Sequence, residues 1–198
     1  MFSTSKVLSV TTGHLAMLGG VAGAWFVSDL GWHPLVALPA ALAVGAVAGW
    51  LTDVIAIRRV LARSDEHLWL LSTLALATIV QQGVALWWGT EPRPFPRLLP
   101  QDFSAGLADQ KYWLPIVATI VMALGLELFY RRTLYGKLFV AMSEDAFAAR
   151  ARGIETDRLR SFSYALAGAL GALAGFAAGQ LTFAFFAVGL TLTLNGFI

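Results

Sequence analysis

The sequence predicts an all-α membrane protein: a polytopic bundle of transmembrane helices, with about five full spans, a partial sixth and one short cytoplasmic helix. Three observations predict it. Hydrophobic residues make up 58% of the 198 and charged ones only 13%, with a mean hydropathy of +0.69, far from the average of soluble globular chains. The apolar residues fall in runs close to the ~20 residues that a helix needs to cross a bilayer. Half of the basic residues, seven of 14, are gathered in one polar stretch between two such runs, Arg131 to Arg160.

The N-terminal MFSTSKVLSV carries one lysine, and Thr11, Thr12 and His14 interrupt the apolar stretch behind it, which makes a poor cleavable signal peptide. The first span is expected from His14 to Leu30 and the second from Pro34 to Ile57, joined by the turn Gly31-Trp32-His33-Pro34. That turn has no Lys or Arg, whereas Arg58, Arg59 and Arg63 follow the second span. Basic residues flanking spans stay cytoplasmic, so the turn lies outside and the arginines inside. A third span, Leu68 to Trp88, leads into the proline-rich TEPRPFPRLLPQDFSAGLADQ, which Trp87, Trp88 and Trp113 bracket as an interfacial aromatic belt does. The fourth span runs from Tyr112 to Tyr130 and the fifth from Phe162 to Gln180, and Thr182 to Ile198 forms the partial sixth. This topology places 11 basic residues inside and three, Arg93, Arg97 and Lys111, outside. No repeat of 20–50 residues divides the chain, which reads as a single transmembrane domain over 1–198.

Small residues recur every four positions at Gly19/Gly23, Gly45/Gly49 and Gly171/Gly175/Gly179, with Gly168 nearby. Such spacing lets helix backbones approach in a membrane, where apolar side chains gain nothing by leaving lipid. The last set serves either packing within the chain or contact with a second membrane subunit. Polar residues inside the spans are few: Asp53, Gln81, Gln82, Glu127 and Asn195. Each is costly unless it faces protein or water. Glu127 is expected to pair with Arg131 at i,i+4, and Asp53 with Arg58 or Arg59. Gln81-Gln82 either bonds between helices or lines a polar path; His14, at the start of the first span, is either an interfacial hydrogen-bonder or, with Thr12, a candidate residue of that path.

Within 131–160, Ser143 is expected to cap a helix of about ten residues, SEDAFAARA to Arg152, with Glu144 and Asp145 at its positive end and Gly153 as its stop. Phe147 and the alanines take one side and the charges the other. A short amphipathic cytoplasmic helix between spans is either a connector or a surface that docks a partner.

Chemistry of other kinds finds no support. There is no phosphate-cradling G-x-x-x-x-G-K-[ST], no H-E-x-x-H and no G-x-S-x-G, so no catalytic residue is assigned. His14, His33 and His67 stand apart and the chain has no cysteine, so neither a metal set nor a disulfide is expected. No cofactor is implied, and the charges lie in separate loops, which argues against nucleic acid. The soluble loops are too short for a nucleotide-binding fold.

The stretch YRRTLYGKLFVAMSEDAFAARARGIETDRLRSFSYALAGALGALAGFAAG resembles the membrane-spanning permease of branched-chain amino acid ABC transporters. In that family a glycine after a basic pair, an acidic-then-AAR helix, Gly-Ile and an Ala/Gly-rich helix follow in order. The matching positions are Arg132, Gly136, Asp145, Ala148, Ala149, Arg150, Gly153 and Ile154. RRVLARSDEHLWLLSTLALATIVQQGVALWWGTEPRPFP is similar to the family's third-helix region, and LSVTTGHLAMLGG to its first motif at Leu8, Gly13, Met17, Leu18 and Gly19. Ser9, Thr12 and His14 stand where members often carry Asn, His and Glu.

The resemblance implies a permease subunit of the bacterial inner membrane, working by alternating access for branched-chain amino acids, with urea or short amides as alternative cargo. Its implied partners are a second permease subunit, cytoplasmic ATPase subunits, a periplasmic substrate-binding protein and membrane lipid. It also implies that 131–160 is the coupling segment docking the ATPase through Glu144, Asp145, Ala148, Ala149, Arg150, Gly153 and Ile154. The family carries spanning helices before the first motif and after Asn195-Gly-Phe-Ile, so a chain short at both ends is expected, an incomplete product or part of a split permease. A non-transporting membrane scaffold is the competing reading, and an intramembrane enzyme the last.

Overall fold

The computed structural model describes residues 11–58, 68–91, 95, 110–179 and 181. All the regular structure among them is helical: α1 Thr12–Ser28, α2 Pro34–Thr52 running on into a π-helical turn Asp53–Ile57, α3 Leu68–Trp88, α4 Gln110–Arg132, α5 Leu134–Glu144, α6 Ala146–Ala151 and α7 Thr156–Ala178. Four of these are long and apolar enough to cross a membrane, Pro34–Ile57, Leu71–Trp88, Tyr112–Arg132 and Thr156–Ala178, and Gly13–Ser28 is a shorter apolar helix. The expected partial sixth span at 182–198 and most of the proline-rich segment lie outside the described residues.

The bundle is built on α7, which packs along α2 and α1. Close backbone approach makes this contact. A methyl group placed on Gly168 would collide with the Gly45 carbonyl, one on Gly49 with the Tyr164 carbonyl, and one on Gly175 with the Ala16 carbonyl. The glycines repeated every fourth residue therefore interlock helices of one chain, where the packing of small residues supplies the attraction that lipid removes from larger apolar side chains. Ala24, Ala37, Ala41, Phe95 and Phe176 close one end of this core, with Phe95 and Phe176 edge to face at 5.2 Å. Met17 and Val21 of α1 meet Val84 of α3 in a second cluster.

By contrast, none of the spanning window of α4 is buried. Ile116, Ile120, Val121, Leu124 and Leu128 are all more than 40% exposed, an apolar surface suited to lipid or to another membrane helix. At its C-terminus Phe129 joins Phe139 and Met142 of α5 and Leu159 of α7, tying the polar end to the bundle.

Two boundaries differ from expectation. The last described span begins at Thr156 rather than Phe162, because Glu155 to Arg160 carry three ion pairs that hold another turn and a half of helix. The segment expected to be one helix starting at Ser143 is two. Ser143 Oγ donates back to the Val140 carbonyl within α5, and the extended backbone of Asp145 (φ −149°, ψ 102°) separates α5 from α6.

Candidate functional site

The polar end of the bundle begins where Arg132 ends α4. Thr133 caps α5 with its hydroxyl, accepting from the Gly136 N–H at 3.0 Å, and α5 then runs to Glu144. Asp145 caps α6: its Oδ1 accepts from the N–H groups of Phe147 and Ala148 at 2.8 and 3.0 Å. A carboxylate in that place satisfies orphan donors and complements the positive helix end.

The helix is closed at its other end by a Schellman arrangement. Gly153, at φ +83°, donates to the Arg150 carbonyl at 2.9 Å, and Ile154 donates to Ala149 at 3.1 Å. The left-handed conformation explains glycine at 153. A six-residue helix is too short to hold itself in water; two caps and the buried Ala149 beneath it do so here.

What this rigid turn displays is specific. Glu144, Asp145, Arg150 and Gly153 are exposed, Ala148 and Ile154 are half-buried, and Ala149 faces inward. Between them Phe147 stands 82% exposed. An aromatic ring held clear of the protein on a doubly capped helix is a ready anchor for a partner surface, because large apolar side chains carry much of the binding energy at interfaces. The sequence shows Phe147 as the lone aromatic in a run of small and charged residues; its projection away from the bundle follows only once Ala149 is seen to be the buried position.

Behind α6 a chain of polar contacts leads into the bundle. Arg150 Nε donates to Thr156 Oγ1 at 2.8 Å. Thr156 opens α7, and one turn on Arg160 donates from Nη1 to Asp157 at 3.0 Å and from Nε to Asp53 at 2.8 Å. Ser161 Oγ donates to the second oxygen of Asp53.

Asp53 thus pairs with Arg160 of α7, and not with Arg58; the alternative partner, Arg59, lies outside the described residues. It opens the π-helical turn, whose Arg58 N–H reaches back to the Asp53 carbonyl, and π turns frequently mark functional positions. Its side chain is fully buried, and a buried carboxylate is tolerated only when paired and hydrogen-bonded. Ser72 Oγ of α3 donates to Ala56 within the same turn at 3.0 Å. Glu127 and Arg131 pair at 3.0 Å as the i,i+4 spacing predicts, on the exposed face of α4.

The second group of candidates lies in the seam of α1 and α3. His14 is 2% exposed, and its Nε2 lies 3.3 Å from Gln81 Oε1. Gln82 is exposed, so the two glutamines part company: Gln81 bonds between helices and Gln82 faces outward. The Thr12 side chain lies outside the described residues. Among the described residues no three metal-ligating side chains come together.

The whole chain, residues 1–198, matches the family described as branched-chain amino acid transport system permease component. It is 28% identical over 161 residues to the high-affinity branched-chain amino acid transport system permease protein LivH of Escherichia coli, covering 77% of this chain and 52% of that protein. With LivH of Salmonella typhimurium it shares 26% over 172 residues, 83% of this chain and 53% of the relative. The probable branched-chain amino acid transport permease LivH of Methanocaldococcus jannaschii is 26% identical over 182 residues, 88% and 57%. The chain thus spans about half the length of the curated relatives it matches. No solved structure gives a significant match.

Proposed function

The chain belongs to the family of branched-chain amino acid transport system permease components, and from that premise we propose that it is a membrane-spanning part of an ATP-driven importer, moving branched-chain amino acids across a bacterial inner membrane. In this reading α6 is the coupling helix. A cytoplasmic ATPase subunit grips Phe147 and the exposed charges of Glu144, Asp145 and Arg150, and ATP is bound and hydrolysed there, not on this chain. A second permease subunit completes the translocation path, and a periplasmic binding protein delivers the cargo.

The observation that carries the proposal is the polar chain from α6 into the membrane: Arg150 to Thr156, then Asp157 and Arg160, then Asp53. Movement of α6 by a docked partner would pull on the first turn of α7, and through the Arg160–Asp53 pair on the π turn that ends α2. These are packed, hydrogen-bonded elements of the kind that shift as rigid bodies between two arrangements. The His14–Gln81 contact between α1 and α3 supplies polar groups in a span seam, where a substrate's ammonium or carboxylate could be met.

The test is uptake by proteoliposomes holding this chain with its second permease subunit, ATPase and binding protein. Labelled leucine, isoleucine or valine should enter on addition of ATP, and Phe147→Ala should abolish entry while the bundle stays folded. Entry of urea in place of the amino acids would overturn the cargo assignment. ATP-driven uptake unchanged in Phe147→Ala would overturn the assignment of α6.

A further inference from the structure

Two cavities at the polar end of the bundle share a pair of arginines. The first, of about 800 Å³, is lined by Arg58, Arg150, Arg158 and Arg160 together with Glu155 and Asp157. The second, of about 340 Å³, is a largely apolar groove between α2 and α7, lined by Trp50, Val54, Phe162 and Ala165 together with Ser161, Arg58 and Arg158. The groove lies along two spanning helices, and the polar cavity lies where those helices leave the membrane.

We infer that this composite site binds an anionic phospholipid, with the phosphate on Arg58 and Arg158 and an acyl chain in the groove between Trp50, Val54, Phe162 and Ala165. The inference concerns lipid, and stands whether or not the chain transports amino acids.

Charge argues for the headgroup. Both carboxylates of the polar cavity are already matched, Glu155 by Arg158 and Asp157 by Arg160, and Arg160 is further committed to the buried Asp53. Among the described residues no carboxylate lies within ion-pair distance of Arg58. Arg158 holds Glu155 while remaining 83% exposed, and such a solvent-facing pair is weak enough for a phosphate to displace. Arginine's planar fork suits a phosphate's oxygens. Basic pockets between spanning helices at the membrane edge are where lipid headgroups are held.

Shape argues for the tail. Trp50 and Phe162 wall the groove at 47% and 45% exposure, Phe162 backed by the stacked ring of Phe139 at 5.9 Å, and Arg58 and Arg158 line the groove and the polar cavity alike. An anionic phospholipid meets both halves at once, whereas a free anion leaves the groove empty.

The experiment is native mass spectrometry of the full chain released from nanodiscs of equal parts phosphatidylglycerol and phosphatidylcholine with identical acyl chains. Retained phosphatidylglycerol should exceed phosphatidylcholine several-fold, and Arg58→Ala/Arg158→Ala should bring the ratio to about one. Arg131→Ala/Arg132→Ala, which removes the same charge elsewhere, should leave the preference intact. Ala165→Trp fills the groove without touching either arginine and should lower retention likewise, so a folding failure of the arginine variant does not decide the matter. Equal retention of the two lipids by the wild type would overturn the site, as would glycerophosphate competing as well as the whole lipid. Photo-cross-linking from position 50 to a second copy of the chain, in place of lipid, would overturn it too.

Discussion

Arg160 of α7 reaches across 107 positions of sequence to donate its Nε to the fully buried carboxylate of Asp53 at 2.8 Å. Removing one partner strands the other. Asp53→Ala is expected to cost ~3 kcal/mol, the scale of a broken buried pair, while Asp53→Leu/Arg160→Met costs far less because no buried charge is left unpaired. Thermal unfolding in detergent should rank the double variant above the single. Equal destabilisation by both would mean that the pair does not fasten α7 to the π turn.

Packing by glycine makes a second prediction. Gly175→Ala forces its methyl into the Ala16 carbonyl and should destabilise by about 1–3 kcal/mol or more, the range of overpacked cores. Gly125→Ala on α4 meets nothing within 4 Å and should be neutral or stabilising by up to about 1 kcal/mol, as helix propensity dictates. The same unfolding assay distinguishes them, and equal losses would contradict the packing.

The caps of α6 are separable. Asp145→Ala removes two hydrogen bonds to the helix start and should cost about 1 kcal/mol. Gly153→Ala must adopt a left-handed backbone at a cost of roughly 1–2 kcal/mol, whereas Gly153→Asn is better tolerated. Amide hydrogen exchange over 146–151 should quicken in Asp145→Ala and Gly153→Ala and change less in Gly153→Asn; unchanged exchange in all three would show the helix to be held by other contacts.

His14 and Gln81 act together if the seam they bridge lies on the cargo route. His14→Ala and Gln81→Ala should each lower uptake at least tenfold in the assembled transporter, and the double variant should be little worse than either, as residues in contact are non-additive. Gln82→Ala, on the outward face, should leave uptake near wild type. A Gln82→Ala loss equal to that of Gln81→Ala would move the route elsewhere.

The sequence made the number and order of the described spans legible because each is a long apolar run, and hydropathy needs no partner to be read. It made Glu127–Arg131 legible because the i,i+4 rule is local. Asp53–Arg160 escaped it for the opposite reason: the partner is chosen by the docking of α7 against α2, which the glycine spacing predicts in kind but not in register. The cap at 143–145 failed between two good candidates, since Ser143 and Asp145 both favour helix starts and α5 had already claimed Ser143. Phe147, Arg150 and Thr156 were visible as residues, yet the line of contacts from α6 to the π turn exists only in three dimensions.

Co-purification with the cognate cytoplasmic ATPase subunit, comparing wild type with Phe147→Ala and Gly153→Glu, decides whether the ATPase docks on α6. A stable complex is expected with the wild type, and its loss in both variants while their thermal unfolding shows the bundle intact. An ATPase complex that survives both substitutions would contradict docking at α6.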